Sequence, residues 1–197
     1  MKENLSLIVN KVSCTRNSIN IFKPLTFKVY KGQLLVIKGK NGTGKTTLLH
    51  CLAGIIPHQG VIKWKIKNNK IGYVGHKFGL KDYETVEEFI NFWREVYKSQ
   101  IILEDIVRKF SLSKLIYSPI GFLSYGQKKK LSFIRLFLLK SKIWLLDEPY
   151  SGMDAINRNM ISKMIEKNIN NNGIVLMSTH ESRRILNVKS KKEIEIV

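Results

Sequence analysis

No stretch of this chain constrains its fold as tightly as Gly39-Lys40-Asn41-Gly42-Thr43-Gly44-Lys45-Thr46. It lies between the apolar run Leu34-Leu35-Val36-Ile37 and a segment whose Leu48, Leu49 and Leu52 share one helical face. Glycines at this spacing let successive backbone N–H groups converge on one anion, and a helix opening straight after them points the positive end of its dipole at the same spot. Strand, tight loop and helix in that order open a parallel α/β sheet whose ligand site lies beyond the carboxyl ends of its strands. The eight positions therefore read as a phosphate cradle, completed by Thr47. Lys45 is placed to reach the β- and γ-phosphates of a nucleotide and Thr46 to offer its hydroxyl to Mg²⁺. Gly54 and Pro57 stop the helix.

A second apolar run, Ile143-Trp144-Leu145-Leu146, ends in Asp147-Glu148-Pro149. A buried strand that delivers two acids to the same sheet edge supplies what the cradle lacks. Asp147, next to the strand, is expected to hold Mg²⁺, and Glu148, one position further out, to polarise a water in line with the γ-phosphate. Around these two segments lie strands at Leu5-Ser6-Leu7-Ile8-Val9, Thr26-Phe27-Lys28-Val29-Tyr30, Val61 to Ile66, Ile71 to Val74 and Ile174-Val175-Leu176-Met177, with a polar turn at Lys67-Asn68-Asn69-Lys70. Apolar spacings of three and four mark helices over Val86 to Tyr97, Ile101 to Phe110, Tyr125 to Leu139 and Asp154 to Ile169. The chain of 197 residues thus reads as one α/β domain, with a core over about 1–76 and 141–197 interrupted by a helical insertion over about 77–140. The Lys-rich tail before Ile194 is expected to be weakly ordered.

Composition excludes several classes. Apolar residues at 44% and charged residues at 25% are ordinary globular values. No apolar run approaches the roughly 18 residues of a membrane-spanning helix, and the opening residues do not read as a signal peptide, so a cytoplasmic protein is expected. Cys14 and Cys51 stand far apart without metal-like spacing and suit a reducing compartment. The net charge of +19 invites nucleic acid or an anionic surface as partner. Yet 27 Lys stand against only 7 Arg, which fits compositional drift better than a set of phosphate-reading sites. Attraction to an acidic membrane surface or partner comes second, and nucleic acid last.

Leu123-Ser124-Tyr125-Gly126-Gln127 resembles the LSGGQ signature of the ATP-binding cassette (ABC) family. The resemblance extends to Ser151-Gly152-Met153-Asp154, similar to the D-loop, and to His180, similar to the switch histidine, so that it covers nearly the whole chain. It implies a P-loop NTPase of the ABC type: an α/β nucleotide-binding domain with an antiparallel β-subdomain and an inserted helical subdomain. It implies ATP and Mg²⁺ as cofactors, and Lys45, Glu148 and His180 as catalytic residues. It also implies a homodimer in which Ser124, Gly126 and Gln127 of one chain close over the nucleotide held by the other. Ser124 and Gly126 offer a hydroxyl, a backbone N–H and a helix N-terminus remote from the chain's own cradle, which suits that role. Two positions depart from the family. His76 stands where a metal-linked glutamine is usual, and Arg16 near where an aromatic residue stacks on adenine; a guanidinium plane can still stack on a base.

The stretch Tyr73-Val74-Gly75-His76-Lys77-Phe78-Gly79-Leu80-Lys81 followed by Thr85-Val86-Glu87-Glu88 is similar to the haem-exporter ATPases of c-type cytochrome biogenesis, which share the histidine. That likeness implies integral membrane subunits of the cytochrome c maturation type as partners and a peripheral place on the cytoplasmic face of the inner membrane. Direct contact with haem is not expected, because no Cys-x-x-Cys-His occurs and His50, His58, His76 and His180 have other assignments. Three alternatives stay open: another exporter's ATPase, a soluble cassette ATPase acting on ribosomes or nucleic acid, and a purely structural phosphate-binding module. The single short cassette without heptads argues against the soluble enzyme, and Glu148 beside Asp147 against the module.

Overall fold

The computed structural model describes residues 4–66, 70–76, 78–180, 186, 188 and 190–197. Of the polar turn expected at Lys67-Asn68-Asn69-Lys70, the first three residues lie outside the described ones, as does Lys77. The chain opens with β1 (Leu5–Ser13), a short ribbon of β2 (Thr15–Arg16) and β3 (Ile19–Asn20), then β4 (Leu25–Tyr30) and β5 (Leu34–Lys38). The cradle leads into α1 (Lys45–Leu52), followed by β6 (Gln59–Trp64) and β7 (Ile71–Val74). The insertion carries α2 (Val86–Val96), α3 (Leu103–Lys109) and α4 (Tyr125–Leu139), and the core resumes with β8 (Ile143–Asp147), α5 (Ala155–Asn170), β9 (Ile174–Thr179) and β10 (Lys191–Glu195).

Two sheets form the frame. A five-stranded parallel sheet runs in the order β10-β5-β9-β8-β7, and an antiparallel sheet in the order β4-β1-β6. The apolar runs of the parallel strands are continuous because both of their faces are covered. Alternate residues feed two separate cores. Leu34, Val36, Trp144, Leu146, Val175 and Met177 pack toward α2–α5, while Leu35, Ile37, Ile143, Leu145, Ile174 and Leu176 pack toward α1 and the antiparallel sheet. This is the period-two geometry of a strand expressed as two hydrophobic layers.

Capping boxes start two insertion helices, Thr85 with Glu88 at α2 and Ser124 with Gln127 at α4. The tail corrects an expectation. Lys191–Glu195 is not weakly ordered but forms β10, in parallel register with Leu34–Lys38, and Glu193 pairs with Lys38 (2.5 Å) and Lys191 (2.7 Å). Alternation Lys191-Lys192-Glu193-Ile194-Glu195 suits an edge strand whose outer face is solvated, and charge density alone hid that pattern. The β2–β3 ribbon was not legible either, since two-residue strands carry too few positions for a period to show.

Candidate functional site

Lys45, Thr46, Asp147, Glu148 and His180 meet at the carboxyl ends of β5, β8 and β9. The cradle bends there because its glycines allow it. Gly44, the residue before α1, has φ 97°, and a Cβ on it would lie 2.8 Å from both Ile21 and Phe22. A Cβ on Gly39 would lie 2.6 Å from Thr43 Oγ1 and 2.7 Å from the carbonyl of Ile196. With no side-chain cap from Gly44 and no acid in its first turn, α1 directs its N-terminal dipole into the cleft.

Lys45 is buried, and its Nζ donates to the carbonyls of Gly39 and Lys40, both at 2.9 Å. An ammonium has three donors, so one remains for an anion over the loop. Thr43 Oγ1 donates to the Lys40 carbonyl at 3.0 Å and tightens the same turn. A cleft of about 510 Å³ is lined by Arg16, Ile21, Asn41, Gly42, Gly44, Lys45, Thr46, Thr47 and Glu148. Arg16 thus reaches the nucleotide side of the cradle from the β2–β3 ribbon. On the other flank, Gly39, Lys40, Asn41 and His180 line an adjoining cleft of about 440 Å³.

The acids are held in a hydrogen-bonded chain. Thr46 Oγ1 donates to Asp147 Oδ2 at 2.8 Å, and Ser178 Oγ donates to Asp147 Oδ1 at 2.5 Å. Asp147 is 2% exposed. A buried carboxylate beside a hydroxyl forms a hard-oxygen donor set that fits Mg²⁺, which takes few protein ligands and completes its shell from water and phosphate. Among the described residues no cluster of three or more His, Cys, Asp or Glu offers a competing metal cage. Burial and then the charge of Asp147 push the Tyr73 hydroxyl well above its usual range, and that hydroxyl lies 2.9 Å from His50 Nε2.

Glu148 adopts a left-handed backbone with φ 47°. Its N–H donates to Ser178 Oγ at 3.0 Å, its carbonyl accepts from Lys129 Nζ at 3.0 Å, and its Oε2 lies 2.7 Å from His180 Nδ1. Sequence reasoning found neither Ser178 nor Lys129. The polar pair Ser178-Thr179 closing an apolar strand is the one available signal for the first, because β8 and β9 pair Asp147 with Ser178 in register.

Ser124, Gly126 and Gln127 do not line the cleft around Lys45. Ser124 Oγ accepts from the Gln127 N–H at 3.3 Å, Gln127 Oε1 accepts from the Ser124 N–H at 2.8 Å, and both lie at the exposed start of α4. His76 follows β7 in an exposed position and lines neither cleft.

Residues 22–151 match the family model described as ABC transporter. The chain belongs to the ABC transporter family. This cassette is 31% identical to "Cytochrome c biogenesis ATP-binding export protein CcmA" of Rhizobium etli over 95% of its own length and 94% of that protein. The protein of the same description from Rickettsia bellii is 36% identical over 83% of this chain and 94% of its own. Among solved structures, an ABC transporter ATP-binding protein from Pyrococcus furiosus superposes with a TM-score of 0.79 at 20% identity, covering 95% of this cassette and 96% of that chain, which speaks for the fold alone. The cassette binds nucleotide, hydrolyses ATP and works with membrane subunits. No helix among the described residues is long and apolar enough to cross a membrane.

Proposed function

We propose that this cassette is the Mg-ATP-hydrolysing subunit of the exporter that serves c-type cytochrome biogenesis, on the cytoplasmic face of the inner membrane, with haem as the cargo of its membrane subunits. The observation that carries the reading is one geometry: Thr46 against Asp147 at 2.8 Å, beside Glu148 against His180 at 2.7 Å. Likeness over nearly the full length to proteins described as cytochrome c biogenesis export proteins supports the cargo pathway.

Lys45 and the cradle N–H groups bind the β- and γ-phosphates and neutralise their charge. Thr46 and Asp147 hold Mg²⁺, which when bound adds to that neutralisation. Glu148 accepts the proton of the water whose oxygen attacks the γ-phosphorus as the β–γ P–O bond breaks. His180 orients the Glu148 carboxylate through Nδ1. Arg16 stacks on the base, and His76 links the metal region to the helical insertion. Ser124, Gly126 and Gln127 complete the site of a second copy, a reading supported by their place at the exposed start of α4, away from the lining of their own chain's cleft.

Chromosomal Lys45→Ala and Glu148→Gln strains test the function. Both are expected to lose c-type cytochromes on a haem-stained gel, the first through weakened ATP binding and the second with binding intact. Normal c-type cytochromes in both strains would remove the cytochrome pathway from the account.

A further inference from the structure

Lys129 is fully buried in α4, the helix that begins at the signature segment. Burial strips its ammonium of water and pulls its pKa down to about 8, against the opposing pull of Asp147 and Glu148. A methionine would fill the same space without that cost. What Lys129 touches is specific. Nζ donates to the Glu148 carbonyl at 3.0 Å and lies 5.4 Å from the centre of the Phe78 ring. Phe78 in turn packs on Tyr125, ring to ring at 5.0 Å, and Tyr125 fills the space over Gly152, where a Cβ would lie 2.5 Å from its ring.

Glu148 needs this support. A non-glycine residue in the left-handed region is strained and persists only where its surroundings determine it. Here both backbone polar groups of the residue are held, the N–H by Ser178 of β9 and the C=O by Lys129 of α4 at 3.0 Å together with the Ser151 N–H of the following turn at 3.2 Å. With both held, the side chain leaves the backbone in one direction, toward His180. We propose that Lys129 is a positioning residue for ATP hydrolysis, its Nζ hydrogen-bonded to the Glu148 carbonyl so as to lock the left-handed turn that aims the Glu148 carboxylate. The proposal rests on the reading of Glu148 as general base. It makes α4 part of the hydrolytic machinery of its own chain. Protonated or neutral, the amine keeps an N–H to donate, so the lock does not depend on the charge.

The test is steady-state MgATP hydrolysis by the full chain with its membrane subunits, comparing wild type, Lys129→Met, Lys129→Arg and Glu148→Gln, with the thermal midpoint of each. Lys129→Met is expected to lower kcat by about tenfold or more while KM for ATP stays within about twofold and the protein still melts cooperatively. Lys129→Arg, which keeps a donor, is expected to recover a large part of that loss. Lys129→Leu is a second apolar variant, read by the same criteria if the methionine variant does not fold. Wild-type kcat in the apolar variant, or a rise in KM together with a collapsed melt, would overturn the proposal. If Glu148→Gln turned over at the wild-type rate, the general-base reading itself would fail. A dead Glu148→Gln beside a fully active Lys129→Met would remove the positioning role alone.

Discussion

At Glu148 three elements meet within one residue: β8 delivers it, β9 fixes its N–H, and α4 fixes its carbonyl together with the Ser151 N–H of the turn that follows. The carboxylate was legible in the sequence because an apolar strand ending in two acids beside a phosphate cradle has few other uses. Its anchors were not. Nothing in the run Lys128-Lys129-Lys130 distinguishes the three in sequence, and only packing shows that Lys129 and Lys130 are buried while Lys128 Nζ reaches Asp82 at 3.1 Å. That buried amine makes a pH prediction. Its folded pKa is near 8 and its unfolded value near 10.5, so between those limits the unfolded chain binds a proton that the folded chain has released. The contribution of this group to stability therefore rises with pH across that window. Thermal midpoints of wild type and Lys129→Met should converge as pH is raised from 7 to 10 if the methionine variant is the more stable at pH 7, or diverge in favour of wild type if it is not. A difference independent of pH would contradict the buried-charge account.

Helices and strands were legible where a period could establish itself. Tyr125–Leu139 and Ile71–Val74 have the bounds that their patterns predict, the helix because its apolar residues pack into one core and the strand because its residues alternate between the two. The tail strand and the β2–β3 ribbon escaped, the first because lysines masked its alternation and the second because it is short. Between β7 and the insertion stands His76, in the stretch that leads to Phe78 and so to the Tyr125–Lys129 cluster. If it substitutes for the family glutamine, Gln at this position should preserve cytochrome maturation. Ala should impair it several-fold while ATP affinity stays within about twofold, because the imidazole acts between sites and not on the phosphates. Haem-stained gels and ATP titration on the same variants check this. Normal maturation in the alanine variant would leave His76 as a solvated loop residue.

On the proposed dimer reading, the whole molecule presents half of a site. The cleft around Lys45 is not lined by the signature residues, which stand elsewhere at the exposed start of α4. Glu148→Gln with MgATP should elute as a dimer, and Ser124→Ala in that background should weaken the dimer, since an anion-binding helix N-terminus loses its hydroxyl. A strictly monomeric Glu148→Gln protein that retains MgATP would contradict closure between two copies. The +19 charge finds no use at the site. The family was fully legible in the motif order, whereas the cargo was not, because the cassette supplies force and its membrane partners supply the path. The most direct measurement is therefore the identity of the membrane proteins that copurify with the tagged cassette from detergent-solubilised membranes. The account predicts integral proteins of cytochrome c maturation, recovered in stoichiometric amount. Recovery of a different permease in their place would contradict it.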